Sequence, residues 1–313
     1  MTIVNATYRD SAVGTGTYTR NIMAALPEAR CSSLPKALLA GRPSAFWSKR
    51  AAEALWSGLP GTVVHPYWAA SPSGRHVVAA LDLVQYREGT GLERRALLAA
   101  ARRTRAVLAL TPTTARMVEA EIGREVIVAP PFPDRPWFEQ PLTPRRPIAG
   151  PVRLAYWGGW HQRKGISAFL EGLADSPLAG EVEVHCLAVP QEWAGTAWIH
   201  DHGRLSTDRL VELADSVDVA VYPSSEEGYG LPVAEALLRQ RPVVALPLAV
   251  YTDFIKPSPL FVPLDDLGPQ SIVAAVERAV GAPETGRAAS LRTPSSRAAT
   301  ALLRAALTKA VER

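Results

Sequence analysis

Short apolar blocks recur along this chain, separated by longer stretches in which apolar residues return every three or four positions. In the first half the blocks are "TIVNA", "GTVVH", "HVVAAL", "AVLAL" and "EVIVA", and helical periodicity covers Gly16–Leu26, Leu92–Thr104 and Thr113–Ile122. Blocks this short read as strands, and their regular alternation with helices predicts parallel sheets with helices on both faces. The fold class is α/β.

The pattern breaks at "APPFPDRPWFEQPLTPRRPIAGP", where prolines crowd between Pro130 and Pro151. Proline removes a backbone donor and fixes φ, so this stretch reads as neither strand nor helix but as an interdomain linker. Beyond it the alternation restarts. Strands are expected at "VRLAYW", "EVEVHCLAV", "VDVAVYP", "PVVAL" and "LFVPL", and helices at Ile166–Ala174, Thr207–Asp215, Pro232–Gln240 and Pro269–Val280. The expected organisation is a first Rossmann-like domain over 1–135, a linker over 136–151, a second domain over 152–285, and a tail over 286–313. The tail's periodicity places Ala299, Leu302, Leu303, Ala306 and Val311 on one side of a helix that packs back on the domains.

Composition narrows the class. With 313 residues, 47% hydrophobic and 20% charged, the chain holds enough apolar material for two packed cores. A net charge of +4 spread along the sequence gives no nucleic-acid footprint. The densest basic run, "ERRALLAAARRTR", reads as a solvated helix face, with peripheral contact to anionic lipid as the less favoured alternative. Cys31 and Cys186 are far apart and suit a reducing cytoplasm rather than a disulfide framework. No run has the length and apolarity of a membrane span or a signal peptide.

The stretch richest in chemistry is "SSEEGYGLPVAEALLRQRPVVAL", Ser224 to Leu246. It follows a strand, so it occupies the carboxyl-end position where open parallel sheets bind ligands. Pro232 suits the first turn of a helix beginning near Leu231. Gly228 and Gly230 let the backbone approach a ligand closely, and the amides of a helix start favour a phosphate. Glu227 and Glu235 stand on either side. Carboxylates beside a phosphate repel it, so they are expected to accept hydrogen bonds from neutral hydroxyls at its two ends, as a nucleotide sugar supplies them. An acidic residue in the first helical turn also stabilises the helix dipole, which accounts for Glu235 alone but not for the whole constellation.

A second carboxyl-end loop, "YWGGWHQRKGISAFLEGL", puts Arg163 and Lys164 before a helix, where a lysine neutralises a diphosphate as a point charge. In "SAVGTGTYTRNIMAAL", Gly14 and Gly16 lie between the first strand and helix. Thr19 stands where a third glycine would complete a dinucleotide fingerprint, so the segment reads instead as a loop facing an interdomain cleft. His65 reads as a structural histidine. Phe46, Trp47, Leu55 and Trp56 form an amphipathic set read as core. His200, Asp201 and His202 suggest a metal only if further ligands join them.

Taken together these residues resemble retaining glycosyltransferases of family 4, most specifically over Gly203 to Leu246, where Glu227 and Glu235 are separated by seven residues. "GTGTYTRNI", "LDLVQYR", "TPTTAR" and "RKG" extend the resemblance. It implies the GT-B fold, two doubly wound Rossmann-like domains facing across a cleft. It also implies a nucleotide diphosphate sugar as donor, an alcohol acceptor drawn from natural products, glycans or lipid-linked compounds, and no metal. By the same resemblance Glu227 contacts the transferred sugar, and Lys164, helped by Arg163, binds the diphosphate. Gly228, Tyr229, Gly230 and Leu231 present backbone to the donor, Glu235 holds the ribose, Gly14 and Gly16 lie near the diphosphate or acceptor, and Asp82 positions a sugar hydroxyl. Two positions depart from the family pattern: Gly159 replaces an arginine and Leu81 a histidine. They keep open a catalytically degenerate nucleotide-sugar-binding scaffold; an epimerase or a dinucleotide oxidoreductase on the same architecture is a further rival.

Overall fold

A computed structural model describes residues 1–11, 14–33, 60–68, 74–82, 87, 89–285, 290–293 and 295–313. The aromatic set of Phe46, Trp47, Leu55 and Trp56 lies outside them. The chain divides into two compact units, Met1–Phe132 with Arg297–Arg313, and Pro133–Ser296.

The first unit contains β1 (Thr2–Asn5), α1 (Gly14–Ala25), β2 (Arg30–Ser32), β3 (Thr62–His65), β4 (His76–Ala80), α2 (Gly91–Arg103), β5 (Ala106–Ala109), α3 (Pro112–Ile122) and β6 (Ile127–Val128). Its sheet runs β2-β1-β3-β4-β5-β6 with every pair parallel. Val63, Val64, Val77, Val78, Val107 and Leu108 are buried. Unbroken valine and alanine runs of this kind mark strands covered on both faces. The helices start where local chemistry says they should. Thr90 and Glu93 form a reciprocal capping box at α2, and Thr111 caps α3 ahead of Pro112, with left-handed Gly123 closing its far end. The periodicity does not reveal β2: its residues are exposed, and only backbone pairing to β1 makes it a strand.

The second unit contains α4 (Arg135–Glu139), β7 (Val152–Tyr156), α5 (Ile166–Ala174), β8 (Val182–Cys186), β9 (Ile199–Asp201), α6 (Thr207–Ser216), β10 (Val219–Tyr222), α7 (Leu231–Leu238), β11 (Val243–Ala245), β12 (Phe261–Pro263) and α8 (Pro269–Val280). All pairs are again parallel, in the order β12-β11-β10-β7-β8-β9. Leu154, Phe169, Leu170, Val184, Val221 and Val244 are fully buried in its core.

Two sequence expectations change. The proline-rich stretch is not bare linker: Arg135–Glu139 is helical, and Trp137 is 1% exposed and stacks on Trp157 at 5.8 Å. Arg239, wholly buried and ion-paired with Asp215, donates to the carbonyls of Gln140 (2.9 Å) and Pro141 (2.6 Å). These contacts fasten the segment to the second unit, and the boundary between units falls after Phe132. The tail does form a helix, α9 (Ser296–Glu312), but its buried stripe is Ala299, Leu303, Leu307 and Ala310, while Leu302 is 52% exposed. The i, i+4 spacing of the true stripe keeps one face turned inward, and Leu302 lies about a quarter turn off it.

Candidate functional site

The strand order of the second sheet reverses between β7 and β10. From β7 the chain proceeds outward through β8 and β9, and from β10 it proceeds the other way through β11 and β12. At such a point the loops leaving two adjacent strands diverge to opposite faces and leave a crevice beyond their carboxyl ends. The loops that leave β7 and β10 are the "RKG" and "SSEEGYG" segments.

These loops are joined directly. Lys164 Nζ donates to Glu227 Oε1 at 2.6 Å across 63 positions of sequence, with the two side chains 16% and 11% exposed. The Ser225 N–H and hydroxyl both donate to the Arg163 carbonyl, at 2.9 and 3.2 Å, and Arg163 Nη1 donates to the Glu226 carbonyl at 3.2 Å. Gly165, in the left-handed region at φ +67°, permits this approach, since a Cβ there would lie 2.3 Å from the Pro223 carbonyl oxygen. The glycine after the lysine is therefore required by packing of the loops. On the β7 side, the Tyr156 hydroxyl donates to the Gly159 carbonyl at 2.6 Å and fixes the loop's departure.

Gly230 caps α7 at φ +95° and ψ 54°, and a Cβ there would lie 2.5 Å from Tyr251 Cε1. The buried Gly228 and Leu231 flank the turn. Tyr229 contributes more than backbone: its ring stacks on Phe254 at 4.2 Å and 12°, clamping the loop against the unit. Glu235 lies beyond the first turn of α7, is 8% exposed, and accepts from Trp157 Nε1 at 2.8 Å through Oε2. This inward aim is not that of a solvent-facing dipole cap. Trp157 was not among the sequence candidates, although it directly precedes Gly158-Gly159 at a strand end. The Glu227 carboxylate reaches further: the Tyr156 hydroxyl is raised, first by burial and then by Glu227, and Tyr251 is raised for the same two reasons.

The remaining candidates lie in the first unit. Gly14 and Gly16 are not in a loop but in the first turn of α1. Gly16 packs so closely on the preceding segment that a Cβ would lie 1.9 Å from the Ser11 carbonyl oxygen, which gives this glycine a structural reason. Asp82 follows β4 and is partly buried, and its carbonyl accepts from Trp68 Nε1 at 2.8 Å. Leu81 packs against the apolar cluster around Tyr67 and Trp68. His65 is fully buried in a polar chain: Nε2 meets His76 Nδ1 at 2.9 Å and Nδ1 meets Asn5 Nδ2 at 3.1 Å. Burial holds His76 down to about 4, with Arg75 adding to the effect.

Of His200, Asp201 and His202, only His200 joins a group of possible ligands among the described residues, and its companions are Glu183 and His185. Parallel pairing of β8 with β9 sets His185 beside His200, and Glu183 lies on the same face of β8. One ligand atom from each of Glu183, His185 and His200 falls within 4.8 Å of the others. Burial, then His202 and His200, lowers His185 to about 4.

Residues 151–281 match the family model described as "Glycosyl transferases group 1". Among solved structures, sucrose-phosphate synthase from Thermosynechococcus elongatus is similar at a TM-score of 0.67 and 15% identity, covering 99% of this chain and 94% of that one. WaaG, a glycosyltransferase involved in lipopolysaccharide biosynthesis, is similar at 0.67 and 15%, covering 100% and 96%. HepE from Anabaena, in complex with UDP-glucose, is similar at 0.66 and 13%, covering 100% and 95%. No curated protein sequence gives a significant match. The chain thus has the two-domain α/β GT-B fold, and its second unit carries the sequence pattern of group 1 glycosyl transferases.

Proposed function

We propose that this chain is a retaining glycosyltransferase that moves a sugar from a nucleotide diphosphate sugar, most favourably a uridine diphosphate sugar, to an alcohol acceptor. The observation that carries the reading is the Lys164–Glu227 pair at the switch point of the second sheet, with Glu235 on the helix that follows. The segment's match to group 1 glycosyl transferases and the UDP-glucose complex of a structural neighbour support it.

In this reading the diphosphate lies against the start of α7, whose first amides have no acceptor within the helix. Lys164 exchanges Glu227 for the diphosphate, with Arg163 beside it, and stabilises the negative charge that develops on the leaving group. Glu227, released from the lysine, accepts from hydroxyls of the transferred sugar, and Glu235 accepts from the ribose. Gly228, Tyr229, Gly230 and Leu231 shape the donor bed through backbone and through the Tyr229–Phe254 stack. The leaving diphosphate assists deprotonation of the acceptor on the face it departs from, which gives retention. Cationic side chains and helix amides take the place of a divalent ion in this chemistry. Acceptor recognition, with Asp82 orienting a hydroxyl, falls to the first unit, and the cytoplasm is the proposed compartment.

A donor-binding scaffold without turnover is the second reading. It is favoured by Gly159 and by Leu81, whose side chain packs into an apolar cluster where the resembled family has an imidazole. A thermal-shift screen with uridine, guanosine, thymidine and adenosine diphosphates and their sugars, followed by product analysis of the best donor, separates the two. A ligand at one hundred times its dissociation constant stabilises the fold by roughly 2.7 kcal/mol. A selective shift followed by sugar transfer with an unchanged anomeric configuration supports the transferase. A shift without donor breakdown in the presence of varied acceptors supports the scaffold, and no shift with any nucleotide refutes both.

A further inference from the structure

The histidine cluster of β8 and β9 has no part in the chemistry proposed above, and its geometry is that of a ligand set. His185 is the middle of three imidazoles, with His200 stacked on it at 4.9 Å and 20°, and His202 at 5.2 Å and 26°. His185 Nδ1 and His202 Nε2 are 2.9 Å apart, within one hydrogen bond. His185 Nε2 is buried and has no hydrogen-bond partner among the described residues. It points toward Glu183 Oε2 at 3.9 Å, and His200 Nε2 lies at the same 3.9 Å from that oxygen.

Neither tautomer of His185 satisfies this arrangement. With the proton on Nδ1, shared with His202, the Nε2 lone pair faces the lone pairs of a carboxylate. With the proton on Nε2, the 3.9 Å gap is too long for a hydrogen bond. A cation between the three atoms resolves the first case: it accepts the lone pairs of both imidazoles and of the carboxylate. Tetrahedral zinc with ligand distances of roughly 2.0 Å places its ligand atoms about 3.3 Å apart. Binding would draw the two nitrogen–oxygen separations in from 3.9 Å and turn the stacked rings of His185 and His200 toward a common point.

We infer that Glu183, His185 and His200 form a binding site for a zinc-class divalent cation, with His202 orienting His185 through its other ring nitrogen. Two imidazoles and one carboxylate are a donor set suited to zinc, with water in the fourth position. His200 and Glu183 are 43% and 37% exposed, which gives the ion its entry. Arg153, the register partner of Glu183 on β7, is the nearby cation, and its pairing with Asp218 at 3.2 Å reduces its opposition. The site ties the three-residue edge strand β9 to β8, so it serves the fold of the second unit and is independent of the donor-site reading.

The test uses the full chain without a polyhistidine tag, stripped with EDTA and dialysed, then titrated with Zn²⁺ by calorimetry and assayed for bound metal. One zinc per chain is expected, together with a higher melting temperature in zinc than in EDTA. Glu183→Gln and His200→Asn are each expected to weaken binding at least tenfold, and His202→Asn about tenfold through lost orientation of His185. Far-UV circular dichroism checks that each variant is folded. Retention of no zinc by the parent, or parental affinity in both Glu183→Gln and His200→Asn, overturns the site. Co²⁺ loaded into the parent decides the matter without variants. An intense tetrahedral visible spectrum supports the site, and the weak spectrum of hydrated cobalt refutes it.

Discussion

Replacing Glu235 separates its contribution to the fold from its proposed contribution to donor binding. Its Oε2 accepts from Trp157 Nε1 at 2.8 Å, and the two residues are 8% and 7% exposed. Glu235→Ala leaves a buried indole N–H without its acceptor, which costs roughly 1–3 kcal/mol, and the lost side-chain packing adds about 1 kcal/mol. At about 2–4 °C per kcal/mol, the midpoint falls by roughly 4–16 °C. Glu235→Gln keeps an oxygen in reach of the indole and loses only the charge, so it costs under about 1 kcal/mol. Donor affinity follows a different pattern. If the carboxylate holds the ribose, its loss removes hydrogen bonds to a charged acceptor, about 1.5–3 kcal/mol or roughly 10- to 150-fold in Kd, with glutamine intermediate. Thermal unfolding and calorimetric titration with the selected nucleotide on the same three proteins read both quantities. Equal destabilisation by glutamine and alanine refutes the Trp157 argument. Unchanged nucleotide Kd in the alanine variant refutes the ribose assignment.

Glu227→Ala is expected to abolish nearly all transfer, while Lys164→Ala weakens donor binding and slows turnover; full activity in both, measured by donor consumption and product formation, removes these residues from the site. Gly230→Ala forces a side chain to φ +95° and into Tyr251, so a loss of about 2–4 kcal/mol in urea unfolding is expected together with weaker nucleotide binding. Arg239→Met removes the donors that hold the Gln140 and Pro141 carbonyls and strands the Asp215 carboxylate, so faster proteolysis between Glu139 and Arg146 is expected, and an unchanged cleavage rate contradicts that role. For His76, burial and then the charge of Arg75 lower the folded value from 6.5 to about 4, and its Nδ1 meets His65 Nε2. The unfolded chain therefore binds the extra proton first. The associated stability is fully present above pH 6.5 and is lost as pH falls through 4, by at most about 3 kcal/mol. His76→Gln, compared with the parent in urea melts from pH 7 to 4, should flatten that part of the profile.

Much of the architecture could be read before any coordinates. Ile166–Ala174 and Pro269–Val280 form helices with the bounds that periodicity assigns, because each has an apolar face of helical spacing, and the second also opens on a proline. Strands β9 and β2 escaped notice, since a three-residue polar edge strand carries no burial pattern of its own. The "SSEEGYGLP" loop was legible as a strand-to-helix turn with acidic flanks. The partners that complete its surroundings were not: Trp157, Phe254 and Tyr251 come from other elements and have no fixed spacing from Glu235 or Tyr229.

The sequence by itself determined the alternation of strands and helices, the class of fold, and which two loops hold charged residues beside glycines. It could do so because burial periodicity, capping and turn chemistry act over a few neighbouring residues. Only the tertiary structure decided that β7 and β10 lie side by side, so that Lys164 reaches Glu227 across 63 positions. It alone set Glu183, His185 and His200 on one face by pairing β8 with β9, and it folded the proline-rich stretch onto buried Arg239. Strand order and register emerge from packing the whole unit, where distant segments compete for the same edges, and no local pattern encodes which of them wins.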